Sequence, residues 1–262
     1  TPAQVGTVTV TATMPGNAQY KAVSANWEVT IEALPIAIPA EDTTVYTYNG
    51  QPQTYALAAN DAYYTISGNT TQTAANEAGY TVTASLKDTA NTKWADGTVA
   101  DKTYRFVIGK KPIAAPEEDT TVYTYNGAEQ TYQLTADAAY TITGDRQTAA
   151  NEAGYTVTVS LKDTANTKWA DGTTDDKTYR FVIGKKPIAA PAEDTTVYTY
   201  NGQEQTYQLT ADAAYTITGD RQTAANEAGY TVTVSLKDTA NTKWADGNVA
   251  DQTYLFKIGK AV

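Results

Sequence analysis

Apolar and polar side chains alternate without a slip through Gly154-Tyr155-Thr156-Val157-Thr158-Val159-Ser160-Leu161-Lys162. Tyr155, Val157, Val159 and Leu161 fall on one face and Thr156, Thr158, Ser160 and Lys162 on the other, the period-two pattern of a strand buried on one side only. The stretch recurs at 79–87, with Ala84 in place of valine, and at 229–237. Each time Asp-Thr-Ala-Asn-Thr-Lys-Trp-Ala-Asp-Gly follows. Downstream, residues 177–183 alternate again and turn Tyr179, Phe181 and Ile183 inward. Upstream, Thr-Val-Tyr-Thr-Tyr and a second short run flank Asn-Gly, which predicts a hairpin closed by a type I′ turn, a turn that needs positive φ at both central residues. In the first copy that turn pairs Tyr48 with Gln51 and Tyr46 with Gln53. Tyr46, Tyr48, Tyr55 and Leu57 then share one face, and Pro52 sits on an edge strand. Residues 140–144 and 146–149 read as two brief strands. Trp169, inside a polar and turn-rich segment, is expected to fold back as a lid on one end of the core.

The pattern is copied along the chain. The Asn-Gly pair begins at Asn49, Asn126 and Asn201, a period of about 75 residues, and 130–172 is identical to 205–247. Boundaries follow at 34–110, 111–185 and 186–262, with Leu34-Pro35-Ile36, Lys111-Pro112-Ile113 and Lys186-Pro187-Ile188 as stiff extended connectors. Residues 1–33 read as the back half of one more copy. Its two strands cannot bury an apolar face alone, so either a preceding segment or another chain completes them. Six or seven short strands per copy, with no helical period, predict an all-β chain of tandem small antiparallel Ig-like β-sandwich units arranged as a rod, or β-grasp-like units instead.

Composition narrows the function. A net charge of −10 and a pI near 4.5 argue against nucleic acid and against anionic membrane as partners. No cysteine and no histidine occur, which removes disulfides, thiol chemistry and the usual general base. No apolar run approaches the roughly 18 residues that would insert across a bilayer. The chain reads as a segment of a longer polypeptide.

The ordered motifs Thr-Tyr-Asn-Gly, Asn-Glu-Ala-Gly-Tyr-Thr-Val-Thr-Val-Ser-Leu-Lys-Asp, Lys-Trp-Ala-Asp-Gly and Thr-Tyr-Arg-Phe-Val-Ile resemble the tandem Ig-like or MBG-type repeats of long surface proteins and adhesins in Gram-positive and gut bacteria. The resemblance implies an extracellular, cell-surface stalk with no catalytic residues. The expectation is therefore a non-catalytic spacer. A homotypic filament completed by strand exchange through the incomplete N-terminal unit, or a module that binds host glycan, mucin or a surface protein, stands beside it.

Three chemistries are open to such a scaffold. Asp171, Asp175 and Asp176 cluster oxygen donors within a few residues, as calcium requires, and Glu117-Glu118-Asp119 is a second acidic run. Trp94, Trp169 and Trp244 could stack on sugar rings, if they do not pack in the core. A Lys-to-Asn cross-link could join Lys177 to Asn151 or Asn166 beside Glu152, stapling a unit that lacks disulfides. Acid pairs that cleave glycosides are the weakest class, because three near-identical catalytic sites in one short chain serve no evident purpose, whereas the reach of a spacer grows with copy number.

Overall fold

The computed structural model describes residues 4–60 and 62–261. The fold is all-β, with no helix among the described residues. An N-terminal ribbon pairs β1 (Gly6–Met14) with β2 (Val23–Ile31) antiparallel over their whole length. Repeat 1 follows as β3 (Leu34–Ile36), β4 (Tyr46–Thr47), β5 (Gln53–Thr54), β6 (Tyr64–Gly68), β7 (Thr71–Gln72), β8 (Asn76–Leu86), β9 (Thr92–Trp94) and β10 (Lys102–Gly109). Repeat 2 supplies β11 to β18 (Lys111–Ile113, Tyr123–Thr124, Gln130–Thr131, Tyr140–Thr143, Arg146–Gln147, Asn151–Leu161, Thr167–Trp169, Lys177–Gly184) in the same order. Repeat 3 supplies β19 to β26 (Lys186–Ile188, Tyr198–Thr199, Gln205–Thr206, Tyr215–Thr218, Arg221–Gln222, Asn226–Leu236, Thr242–Trp244, Gln252–Gly259). Two compact units arise: one runs to Ala114 and takes in Asp163–Thr174, the other takes in Ala115–Lys162 and the chain from Asp175 onward.

Repeat 1, wholly inside the first unit, shows the plan. A four-stranded sheet runs β4-β10-β8-β6, and two ribbons, β3-β9 and β5-β7, stand apart from it. Alternation decides which face is covered: Val82, Ala84 and Leu86 of β8 are buried with Phe106 and Ile108 of β10. Ile36 and Trp94 from one ribbon pack on Tyr64, Ala84 and Leu86. Tyr55, just past β5, packs on Val82, Phe106 and Ile108. The core therefore lies between the sheet and the two ribbons, and Ile66 and Tyr104 belong to both of its halves. Tyr46 meets Phe106 edge-on, with ring centroids 5.0 Å apart, a favoured aromatic geometry. Repeat 3 repeats this core with Tyr207, Val232, Phe256 and Ile258 in one half and Tyr215, Val234, Leu236 and Trp244 in the other.

Two expectations are corrected. The pairing is mixed rather than purely antiparallel: within the sheet β4 runs parallel to β10, with Tyr46 opposite Ile108, and in the separate ribbon β3 runs parallel to β9, with Ile36 opposite Trp94. The Asn-Gly hairpin does not form either: β4 pairs with β10, while β5 pairs with β7. The cause is local. Gly50 takes a φ of +77°, but among the described residues none other than glycine has positive φ, so Asn49 does not supply the first position of a type I′ turn. Its side chain instead accepts the Gln51 N–H at 2.9 Å, which widens the turn and frees Tyr48 N–H to reach Gly109 O at 2.9 Å. Tyr46, Tyr48, Tyr55 and Leu57 still share the core, joined by packing on Phe106 and its neighbours instead of a common hairpin.

A break in β8 positions an acidic side chain at the end of the repeat. The pairing of β8 with β10 shifts register between Tyr80 and Asn76, and Gly79 there has a φ of +91°. A Cβ at Gly79 would lie 2.5 Å from Arg105 Cγ, so glycine serves both the backbone conformation and the close passage of the arginine. Arg105 lies over the bulge and donates to Ala78 O at 2.7 Å and to Glu77 O. This holds the loop that carries Glu77.

Candidate functional site

The predicted glycan platform is overturned by burial. Trp94 is fully buried, Trp169 and Trp244 are 1% exposed, and an indole in that position offers no face to a sugar. Trp94 Nε1 donates to Ala100 O at 2.8 Å and Trp244 Nε1 to Ala250 O at 2.7 Å, so each indole closes the turn that covers it.

The acidic residues serve the backbone. Asp171 Oδ1 accepts from Thr173 N–H at 3.0 Å and Thr173 Oγ1 at 2.7 Å, capping its own turn. Its counterpart Asp96 does the same for Thr98 and accepts Lys102 Nζ at 2.6 Å, and the lysine bond first holds that carboxyl down to about 2. Among the described residues no group of three or more potential metal-ligating side chains gathers. In the second acidic run, Asp119 Oδ2 accepts Tyr123 OH at 2.5 Å and Gln133 N–H at 2.6 Å, and its Oδ1 accepts Thr121 N–H at 2.9 Å. Burial alone would raise the pKa of Asp119. The hydrogen bonds from Thr121, Tyr123 and Gln133 more than offset it and leave the carboxyl at about 2. In repeat 3, burial and then the Asp194 carboxylate push the Tyr198 hydroxyl up to about 12.

The cross-link geometry also fails. Lys177 lies opposite Val159 while Asn151 lies opposite Ile183, so six residues of strand, about 20 Å, separate the two side chains along the sheet. Asn166 is engaged elsewhere, by contacts that its sequence neighbours do not announce.

Those contacts form a polar set that joins one repeat to the next. Asn166 Oδ1 accepts the Ala75 N–H at 2.8 Å, Lys168 Nζ donates to Glu77 Oε1 at 2.9 Å, and Lys110 Nζ donates to Thr164 O at 2.7 Å. The next junction copies it: Ala150 N–H to Asn241 Oδ1 at 2.8 Å, Lys243 to Glu152 at 2.8 Å, and Lys185 to Thr239 O at 2.7 Å. The accepting oxygen is oriented in advance. Asn166 Nδ2 donates to Asp163 Oδ2 at 2.9 Å, which fixes the amide so that its oxygen points to the preceding repeat, and Asp238 does this for Asn241 at 2.8 Å. The lysine bond, followed by the lysine charge, holds the Glu77 and Glu152 carboxyls below their ordinary value. A signal was present in the sequence: Asp-Thr-Ala-Asn-Thr-Lys recurs unchanged in a segment with little apolar content, where core packing does not demand identity.

No family model matches the chain, and no curated protein matches it. One solved structure similar to it is SGBP-B of the Bacteroides ovatus mixed-linkage glucan utilization locus, in complex with a mixed-linkage heptasaccharide. The likeness covers 85% of this chain and 70% of that one at 12% identity and a TM-score of 0.18, too low to bear on a shared site.

Proposed function

We propose that the chain is a non-catalytic spacer of a bacterial cell-surface protein, built from small tandem β units. The observation that carries this reading is the polar set at the two repeat junctions, present twice with the same three contacts between 2.7 and 2.9 Å. A spacer gains from repeating one set of contacts, because each added copy brings its own means of coupling to the next. The motif order that resembles bacterial surface repeats supports the extracellular setting. Small-angle X-ray scattering of the dilute chain tests the reading. The expected radius of gyration clearly exceeds the roughly 18 Å of one compact globule of this length. A value near that figure would overturn it.

A second reading, self-association through the N-terminal ribbon, rests on one observation. Val8, Val10, Ala12 and Met14 pair directly with Val29, Trp27, Ala25 and Val23, while Thr7, Thr9, Thr11 and Thr13 pair with Thr30, Glu28, Asn26 and Ser24. One face is thus wholly apolar, and Val10, Met14, Val23, Trp27 and Val29 on it are exposed. An apolar face of that kind attracts cover.

A further inference from the structure

Each repeat carries one Asn-Gly turn, at 49–50, 126–127 and 201–202, and one Asp-Gly turn, at 96–97, 171–172 and 246–247. The six glycines are alike in backbone. All have φ between 75° and 94°, and a Cβ on any of them would meet nothing within 4 Å. Their N–H groups differ. Gly97, Gly172 and Gly247 donate to the carbonyls of Trp94, Trp169 and Trp244 at 2.8 to 2.9 Å, whereas among the described residues nothing accepts the N–H of Gly50, Gly127 or Gly202.

That difference decides where a ring can close. A backbone nitrogen attacks the side-chain carbonyl of the residue before it only after giving its proton to solvent, so it must be open to water and held by no acceptor. The three Asn-Gly pairs are exposed. Their electrophile is prepared as well. Asn49, Asn126 and Asn201 Oδ1 each accept the N–H two residues on, from Gln51, Ala128 and Gln203, at 2.9 Å. An N–H in that place draws charge from Cγ and steadies the oxyanion that forms as nitrogen adds, the role that oriented backbone donors play in acyl transfer. No other asparagine precedes glycine. At the junctions the amides of Asn166 and Asn241 are tied to Asp163 and Asp238, and threonine follows each of them.

We propose that Asn49, Asn126 and Asn201 are sites of spontaneous covalent modification through a succinimide. In repeat 2, Gly127 N bonds to Asn126 Cγ, the Cγ–Nδ2 bond breaks, and ammonia leaves with a proton taken from solvent. Water then opens the ring. Cleavage between the ring nitrogen and Cγ gives aspartate, and cleavage between that nitrogen and the main-chain carbonyl gives an isoaspartyl link with one more backbone carbon. Either route consumes one water and releases one ammonia.

The fold accepts both products because the turn belongs to no ladder. The strands on its two sides pair elsewhere, β4 with β10 and β5 with β7, β12 with β18 and β13 with β15, β20 with β26 and β21 with β23. An added backbone atom between them shifts no register. Each event also adds one carboxylate to a chain already at −10.

The full chain is aged at mildly alkaline pH, digested, and read by mass spectrometry with separation of aspartyl from isoaspartyl peptides. Ala128 against Gln203 tells the peptides of repeats 2 and 3 apart. The three Asn-Gly sites should convert while Asn166 and Asn241 stay intact. Asp171→Asn places the same dipeptide over a tied nitrogen, and that position should convert about tenfold more slowly than Asn126 in the same molecule, the worth of one hydrogen bond at the attacking atom. In denaturant the two rates should converge. Equal rates in the folded chain overturn the proposal, and so does an Asn126 that stays intact when folded over a period that converts it in denaturant. Ala128→Pro removes the donor to the Asn126 oxygen and leaves Asn49 and Asn201 as internal standards. Asn126 should then slow by about 2- to 10-fold, and an unchanged rate overturns the part given to that donor. The aged chain should melt as the fresh one does, and unfolding in step with conversion overturns the claim that the turn tolerates its products.

Discussion

Glu77 accepts a hydrogen bond from Lys168 at 2.9 Å although 91 residues separate them, and Glu152 and Lys243 repeat the contact at 2.8 Å. Both glutamates are held below the ordinary value of 4.5, so the contact is fully formed above that value and is lost as the pH falls below it through the lowered one. Carboxyl ¹³C shifts should therefore titrate with midpoints under 4.5 for these two residues. Lys168→Met should return the midpoint of Glu77 toward 4.5 and leave that of Glu152 in place. Parallel movement of both would mean that the shift comes from the whole surface and not from the junction.

Asp194 accepts Tyr198 OH at 2.6 Å and Gln208 N–H at 2.6 Å, and its carboxyl lies at about 2 against an ordinary 3.8. A depressed carboxylate contributes stability above pH 3.8 that disappears as the pH falls from there toward 2. Asp194→Asn should cost about 1 to 3 kcal/mol near neutrality, the usual range for a hydrogen bond to a charged group and the donors left behind. Thermal melts from neutrality down to about pH 2 should show a flatter acid limb for the variant. An identical limb would assign the acid sensitivity elsewhere.

Gly154 has a φ of +90°, and a Cβ there would lie 2.6 Å from Arg180 Cγ. Gly154→Ala should lower the stability of repeat 2 by about 1 to 3 kcal/mol, from the left-handed backbone and the displaced arginine together. Adding Arg180→Ala should recover only part of the loss, because it opens the space but removes the bonds from Arg180 to Ala153 O at 2.8 Å and Glu152 O at 2.7 Å. Denaturant unfolding of both variants separates the steric part from the backbone part. Full recovery in the double variant would show that φ carries no strain.

Trp27 is 56% exposed, while the other three tryptophans are buried. Acrylamide should quench a single red-shifted component of the fluorescence, and Trp27→Phe should remove it with little change in the melting curve. If protein concentration protects that component, the apolar ribbon face is being covered, and Val10→Thr should reverse the protection.

Much of a repeat is legible along its sequence because strand alternation is a local property. Val157, Val159 and Leu161 are buried where their period places them, as are Phe181 and Ile183 on the neighbouring strand, where Phe181 lies opposite Tyr155. The pairing of short strands is less legible. Asn49-Gly50 has the composition of a tight hairpin, but Tyr46 and Tyr55 gain more by both packing on Phe106, with centroids 5.0 and 5.5 Å away, than by lying side by side. Two-residue strands carry too few hydrogen bonds to resist that preference. The junction lay furthest from view, since its partners are far apart in the chain and each looks like a solvated turn residue until the amide of Asn166 is seen tied to Asp163. The tryptophans follow the expected lid: Trp94 folds back to pack on Tyr64 and Leu86 and closes its own turn through Ala100.

Because every full copy carries both halves of the joint, unequal recombination within the gene can add or delete one period without leaving a mismatched seam. The number of copies can then change in whole steps while no residue of the coupling needs to be reinvented.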